Sequence, residues 1–207
     1  LFMRGVGEGT DIVKKEMYVL KTKGGDLLAL RPENTAAVAR AYLQHHLSRG
    51  PQPQKLFYAG PFFRHEHPQA LRYREFHQVG FEIIGGANAP IYDAQILIVY
   101  QRFLEELKIK NIALKMNSIG CRVCRPLYRK QLQAAYRPFE KKLCADCQER
   151  LVTNPLRLLD CKREECREFK AKAPNVLDKL CVTCSTHFKG VLEYLEERGL
   201  IIDSHKG

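Results

Sequence analysis

The residues with the clearest chemical potential lie on one short stretch, Phe76-His77-Gln78-Val79-Gly80-Phe81-Glu82-Ile83-Ile84. The two-residue period of a strand sends Phe76, Gln78, Gly80 and Glu82 to one side and His77, Val79, Phe81 and Ile83 to the other. The second set reads as the core side. The first presents a ring, a carboxamide and a carboxylate around the bare backbone of Gly80, where no side chain holds a ligand away from the sheet. That surface suits a small polar ligand, although an ordinary solvated polar face alternates in the same way.

Upstream, Lys55 to Arg64 alternates as a second strand, with Tyr58, Gly60, Phe62 and Arg64 sharing a face, and the polar stretch His65 to Glu75 joins the two strands as a long basic loop. Arg64 therefore stands at a strand end beside the loop, where a fixed guanidinium can neutralise charge building on a phosphate. Arg72 and Arg74 on the loop could take further phosphate oxygens or be merely solvated. Arg31-Pro32-Glu33-Asn34-Thr35 joins a strand to a helix, a junction with free backbone N–H groups. Asn34 or Thr35 can cap that helix, and capping and ligand binding stay open for this run. Glu33 is harder to assign to capping.

A second chemistry is written in the cysteines. All eight fall between Cys121 and Cys184: the pairs Cys121-x-x-Cys124, Cys144-x-x-Cys147 and Cys181-x-x-Cys184, with Cys161 and Cys166. Three pairs at that spacing fit tetrahedral thiolate sites for structural Zn²⁺, against the alternative of buried, redox-silent thiols. Spacing does not say which cysteines share an ion, and two full sites would use all eight. The seven histidines do not single themselves out: His65 and His67 sit on the basic loop, His77 points coreward, and His45-His46 end a helix.

The elements that must position these groups follow from periodicity. Strand-like and helix-like segments alternate over Asp26–Arg31, Thr35–Leu47, Lys55–Phe63, Phe76–Ile84, Tyr92–Leu107 and Ile112–Asn117, which predicts a sheet backed by helices. Ile96, Val99, Tyr100, Phe103, Leu104 and Leu107 form an apolar stripe for packing on that sheet. Composition changes abruptly near Asn117-Ser118-Ile119-Gly120, which sets a domain boundary at residue 117. Beyond it come short helical pieces, Ser185–Arg198 being the clearest.

The chain of 207 residues is 45% hydrophobic, enough for a real core. Its 34 basic against 23 acidic residues give a net charge of +11, which favours a polyanionic partner. No apolar run approaches the roughly 20 residues needed to cross a bilayer, and no signal peptide is evident, so a cytoplasmic protein without a membrane partner is expected. Reducing surroundings favour metal ligation over disulfides for the cysteines. The chain opens on Leu1-Phe2-Met3 without an initiator methionine and stops just after a helical stretch, as expected for a fragment.

Phe63-Arg64-His65-Glu66, followed by Arg72-Tyr73-Arg74-Glu75-Phe76-His77-Gln78, resembles motif 2 of class II aminoacyl-tRNA synthetases in their histidyl form. Thr10 to Tyr18, Arg31 to Thr35 and Asn154-Pro155-Leu156-Arg157-Leu158-Leu159-Asp160 look like the histidyl-tRNA synthetase family in the same order. The resemblance implies an α+β fold: a partial class II antiparallel sheet flanked by helices over residues 1–117, and a small, mainly helical, cysteine-rich insertion domain over 118–200 that leans on the tRNA acceptor arm. Residues 201–207 would be a truncated end.

It implies that Arg64 contacts the α-phosphate of ATP, Glu66 the adenine amino group and Arg72 the γ-phosphate, with Phe76 stacked on adenine. Glu33, Thr35 and Gln78 would hold the α-amino end of L-histidine, and Glu82 would accept a hydrogen bond from its imidazole, an apt pairing because a carboxylate only accepts. The reaction would form histidyl-adenylate and pyrophosphate, then charge the 3′ end of tRNA(His). Mg²⁺ on the ATP phosphates is expected, with no residue here identifiable as its ligand. The homodimer-forming motif 1, the later histidine-binding run and motif 3 are not recognised, so the chain alone is expected to make little adenylate. The rival readings are the synthetase-like regulatory subunit of ATP phosphoribosyltransferase, which retention of Arg64, Glu66 and Arg72 disfavours, and a zinc-bearing nucleic-acid-binding module, which leaves Gln78 and Glu82 unexplained.

Overall fold

A computed structural model describes the chain except residues 8–9, 67–68, 201 and 205–207, and side chains are described as far as residue 200. Two compact units are present, Leu1–Asn88 and Ala89–Gly207. The first contains β1 (Val19–Lys21), β2 (Leu27–Ala29), α1 (Thr35–Gln44), β3 (Gln54–Phe63) and β4 (Glu75–Ile84). The second contains α2 (Pro90–Glu106), β5 (Leu114–Met116), α3 (Cys124–Tyr136), α4 (Ala145–Thr153), α5 (Glu164–Lys170), α6 (Val182–Glu196) and β6 (Ile202–Ser204).

Elements β2, α1, β3, β4, α2, β5 and α6 fall close to where periodicity put them, whereas β1, β6 and the 13-residue α3 were not anticipated, and the strands' partners differ from expectation. Instead of one sheet, the described strands form three two-stranded pairs: β1–β2 and β3–β4 antiparallel, and β5–β6 parallel. Alternation identifies a strand and one of its faces without naming its neighbour. The boundary expected at residue 117 also differs from the division into compact units. The reason is helix α2, whose Ala94, Leu97 and Ile98 pack with Val191 and Leu195 of α6 and so belong with the second unit. This contact corrects the expected stripe as well: Val99, Tyr100 and Leu107 are exposed, and the packed residues of α2 are Ala94, Leu97 and Ile98, which meet α6 together with Leu114 and Met116 of β5.

The β3–β4 ladder fixes the first unit. Its register pairs Leu56 with Glu82, Tyr58 with Gly80, Gly60 with Gln78 and Phe62 with Phe76. Directly opposed residues of an antiparallel pair share a face, so both sets of alternate residues named from sequence lie on one surface. The expected core side holds only in part: Phe81 and Ile83 are half-buried, but His77 and Val79 are open. Phe57 and Val79, on the opposite face, are 76% and 46% exposed and His77 is exposed, whereas Phe62 on the first face is 1% exposed. The cover comes from the Arg31–Thr35 segment: Arg31 places its guanidinium 5.2 Å from the Phe62 ring centre and donates through Nε to the Pro61 carbonyl at 2.7 Å.

Gly80 is required for an intramolecular reason. A β-carbon there would collide with the phenol of Tyr58, its cross-strand partner. The open backbone expected to admit a ligand thus admits a tyrosine ring first. The core of the second unit is formed by Tyr128, Leu132, Tyr136, Leu151, Leu158 and Phe169 together with four cysteines, which closes a helical lobe around sulfur as much as around hydrocarbon.

Two outcomes test this packing. Burial pushes the Tyr58 phenol above its ordinary value. Gly80→Ala, by displacing that ring, is expected to return the titration of Tyr58 in carbon-13 NMR toward normal and to cost about 1–3 kcal/mol of stability. In the second unit, Leu132→Ala at a fully buried position is expected to cost about 2–5 kcal/mol in chemical denaturation, whereas Val182→Ala at a position 83% exposed should change stability by under about 0.5 kcal/mol.

Candidate active site and cysteine clusters

The candidate active site is assembled from the β3–β4 face, the chain leaving β3, and the junction that starts α1. Arg64 follows β3 and is anchored twice. Its main-chain N–H donates to the Arg74 carbonyl at 2.9 Å, and its Nε donates to the Pro32 carbonyl at 2.9 Å. The guanidinium carbon then lies 5.3 Å from the centre of the Phe76 ring. A cation held over a ring face is attracted by the ring quadrupole, and with Nε already engaged the terminal nitrogens are the groups left to meet an anion. The guanidinium and the aromatic surface expected to act together are therefore neighbours.

At the other end of the face, Thr35 donates its hydroxyl to Glu82 at 2.8 Å, linking the first residue of α1 to β4. The Glu33 carboxylate accepts from the Ala36 N–H, at 3.1 and 3.3 Å to its two oxygens. Glu33 is thus a helix cap, contrary to the sequence reading, while Asn34 at the N-cap position makes no side-chain capping bond. The strand-to-helix turn lets the longer side chain reach back over the first turn, and the negative charge suits the positive end of the helix dipole.

Tyr58 was passed over as a site residue, yet it stands among these groups. Desolvation raises its pKa, the hydroxyl of Thr35 pulls it down, and the negative charges of Glu82 and Glu33 push it up again. The legible signal was the cross-strand pairing of a tyrosine with a glycine. Gln78 lies between Gly80 and Phe76 on the same face, opposite Gly60. Arg31 was also missed; a β-carbon on Gly60 would stand 3.1 Å from its guanidinium, so the second glycine makes room for that arginine.

On the connecting loop, Arg72 and Glu66 approach to 3.0 Å, an ion pair not aligned as a hydrogen bond. The Arg72 side chain is largely exposed, so the pair contributes little stability. His65 donates its main-chain N–H to the Glu16 carbonyl at 2.6 Å and packs its ring edge-on to Tyr18, a structural role. His67 lies outside the described residues.

The eight cysteines gather into two groups of four. Cys121, Cys124, Cys181 and Cys184 form one; Cys144, Cys147, Cys161 and Cys166 form the other, and within each the sulfurs lie within 4.8 Å of one another. None is in a disulfide. Backbone N–H groups of Cys124 and Val123 draw the Cys121 thiol down to about 6, while desolvation and the neighbouring thiols Cys181, Cys121 and Cys124 push Cys184 up to about 12. Four such groups cannot all ionise together without a cation. The Asn154–Asp160 run is structural: Pro155 and Leu158 are buried, and Arg157 pairs with Asp160 at 3.3 Å just before Cys161.

Among the described residues, no helix is long and apolar enough to cross a membrane. Comparison with known proteins gives the chain its relatives. A family model described as histidyl-tRNA synthetase matches residues 2–153. A histidine–tRNA ligase of Pelotomaculum thermopropionicum is 52% identical over 196 residues, covering 95% of this chain and 46% of the relative. One from Desulforudis audaxviator is 50% identical over 200 residues, covering 97% and 47%. The chain therefore spans about half the length of the curated relatives it matches. Among solved structures, apo histidyl-tRNA synthetase of S. aureus is similar with a TM-score of 0.73 and 34% identity over 97% of this chain and 46% of that one. An ATP phosphoribosyltransferase regulatory subunit/histidyl-tRNA synthetase from Bacillus halodurans, 18% identical with a TM-score of 0.53 over 98% and 56%, shares the fold. With its motif residues gathered on one hairpin face and relatives of this closeness, the chain belongs to the histidyl-tRNA synthetase family.

Proposed function

We propose that the protein is a histidine–tRNA ligase, activating L-histidine with ATP and transferring it to tRNA(His) in the cytoplasm. The single observation that carries this reading is the β3–β4 register, which lines Phe76, Gln78 and Glu82 along one face with Arg64 over the aromatic end and Thr35 on the acidic end.

In this reading adenine stacks on Phe76 and its amino group meets Glu66, which brings the α-phosphate toward Arg64. Arg72 leaves its ion pair with Glu66 to hold the γ-phosphate, so nucleotide binding exchanges one charge contact for two. At the other end Glu82 accepts from the imidazole of histidine, and Gln78, Thr35 and Glu33 surround the α-amino group. Glu33 and Thr35 already serve the helix end and Glu82, which pre-orients these acceptors at little reorganisation cost.

The histidine carboxylate attacks the α-phosphorus, and the bond to the bridging oxygen of pyrophosphate breaks. Arg64, held by the Pro32 carbonyl, neutralises the charge that grows on the α-phosphate oxygens. Mg²⁺ on the ATP phosphates would share that neutralisation when bound. A hydroxyl of the tRNA 3′ adenosine then attacks the carbonyl of the adenylate and AMP departs. Residues 118–200 serve as the insertion domain against the acceptor arm, with basic side chains facing phosphate and structural zinc holding the cysteine-rich fold. The intact enzyme works as a homodimer. The regulatory-subunit reading has only fold-level similarity at 18% identity behind it.

In the full-length protein, Arg64→Ala is expected to lower kcat for histidine-dependent ATP–pyrophosphate exchange about 10²–10³-fold. Glu82→Ala should instead raise KM for histidine, leaving KM for ATP nearly unchanged. Unaltered exchange in Arg64→Ala would sink the assignment of this arginine.

A further inference from the structure

We propose that the second unit binds two zinc ions in a nested arrangement: an outer ion held by Cys121, Cys124, Cys181 and Cys184 closes the neck of a lobe whose interior is organised by an inner ion on Cys144, Cys147, Cys161 and Cys166. This rests on reading the unit as zinc-bearing and goes beyond it in the number of ions, their ligand sets and their separate tasks.

The sulfur geometry carries the ligand sets. A regular tetrahedron with zinc–sulfur bonds of about 2.3 Å has edges of about 3.8 Å. In the outer group the separations are 3.6 Å for Cys121–Cys124, 3.7 Å for Cys124–Cys184 and 3.8 Å for Cys121–Cys181. In the inner group Cys144 and Cys161 are 3.9 Å apart. A disulfide needs about 2.05 Å, so these are the spacings of sulfurs around a shared centre rather than of bonded pairs. Each group draws two Cys-x-x-Cys halves or their equivalent from different parts of the chain, which a local thiol pair would not require.

The surroundings are those of thiolates. The Cys121 N–H donates to Cys124 Sγ at 3.0 Å, the Val123 N–H to Cys121 Sγ at 3.3 Å and the Cys144 N–H to Cys166 Sγ at 3.3 Å. Such donors orient and stabilise metal-bound sulfur. Cys144 and Cys181 occupy the N-cap positions of α4 and α6, and Cys124 opens α3, so all three pairs sit at helix N-termini. Gly120 has φ of +66°, and a β-carbon on it would run into Cys124 Sγ, so the outer knuckle is shaped around the sulfur. Beside the inner group, the Tyr136 hydroxyl is buried in the same core without a hydrogen-bond partner among the described residues, a donor suited to a thiolate.

The nesting follows from chain order. The outer ligands are joined across 60 residues, Cys121 to Cys181 and Cys124 to Cys184, and every inner ligand lies between them. The outer ion therefore ties the point where the chain enters the lobe to the point where it leaves. Closing so long a loop removes much of the freedom of the unfolded chain. Burial separates the two sites: all four inner cysteines are buried, whereas Cys124 alone is buried in the outer group.

The test is metal analysis of the untagged 207-residue chain purified without chelator, with hydrogen exchange during stepwise chelation. Two zinc ions per chain are expected, falling to one in Cys181→Ser/Cys184→Ser and, where that variant folds, to one in Cys161→Ser/Cys166→Ser. A mild chelator should remove the outer ion first, raising exchange at the start of α3 and α6 while the core around Leu132 and Leu158 stays protected. One zinc in the wild-type chain, unaffected by Cys181→Ser/Cys184→Ser, would overturn the two-ion arrangement and leave a zinc-bearing unit. Simultaneous loss of both ions with uniform deprotection would overturn the nesting. Zinc near zero, or iron in its place, would overturn the zinc reading itself.

Discussion

The antiparallel register of β3 on β4 is the constraint from which the rest of the candidate site follows. A shift of one residue would carry Gln78 and Glu82 to the opposite face. Three local devices hold it: the Tyr58 ring laid over Gly80, the Arg31 guanidinium set beside Gly60, and Arg64 continuing the ladder to Arg74 past the last strand pair. Each uses a glycine or a main-chain bond to admit a large side chain. The candidate ligand surface is thus built by the same contacts that hold the strands in step.

Charge is arranged along that surface with a sense of direction. Arginines gather at the end where β3 gives way to the loop, and carboxylates gather at the end where α1 begins. A molecule with phosphates at one end and an ammonium and imidazole at the other fits this polarity. In the proposed reading Glu33 and Thr35 would combine structural and ligand duties. A carboxylate that caps a helix is already fixed in place, and fixed charge costs little reorganisation when a ligand arrives.

Much of this was legible in the sequence because alternation is a strong constraint on strands. Phe76, Gln78 and Glu82 share their face as expected, and Arg64 stands beside them. What alternation does not encode is the layer that covers each face. The side bearing Phe57 and Val79 was read as core and is exposed at His77 and Val79 though half-buried at Phe81 and Ile83, while α2 packs through Ala94, Leu97 and Ile98 rather than through Val99, Tyr100 and Leu107 of the expected stripe. Glu33 escaped notice as a cap because the strand-to-helix turn, which sequence spacing does not show, determines its reach. The cysteine partition was likewise beyond spacing. Cys121-x-x-Cys124 chooses Cys181-x-x-Cys184 across an intervening lobe, and only the helix packing brings them together.

The central claim is that the Phe76–Glu82 face holds histidine and ATP in line. A crystal structure of the full-length protein with a non-hydrolysable histidyl-adenylate analogue tests it most directly. The account requires the adenine on Phe76, the phosphate-mimicking group within hydrogen-bond reach of Arg64 and the imidazole on Glu82. An analogue seated against Phe57 and Val79, or lying with its imidazole toward Arg64, would contradict it.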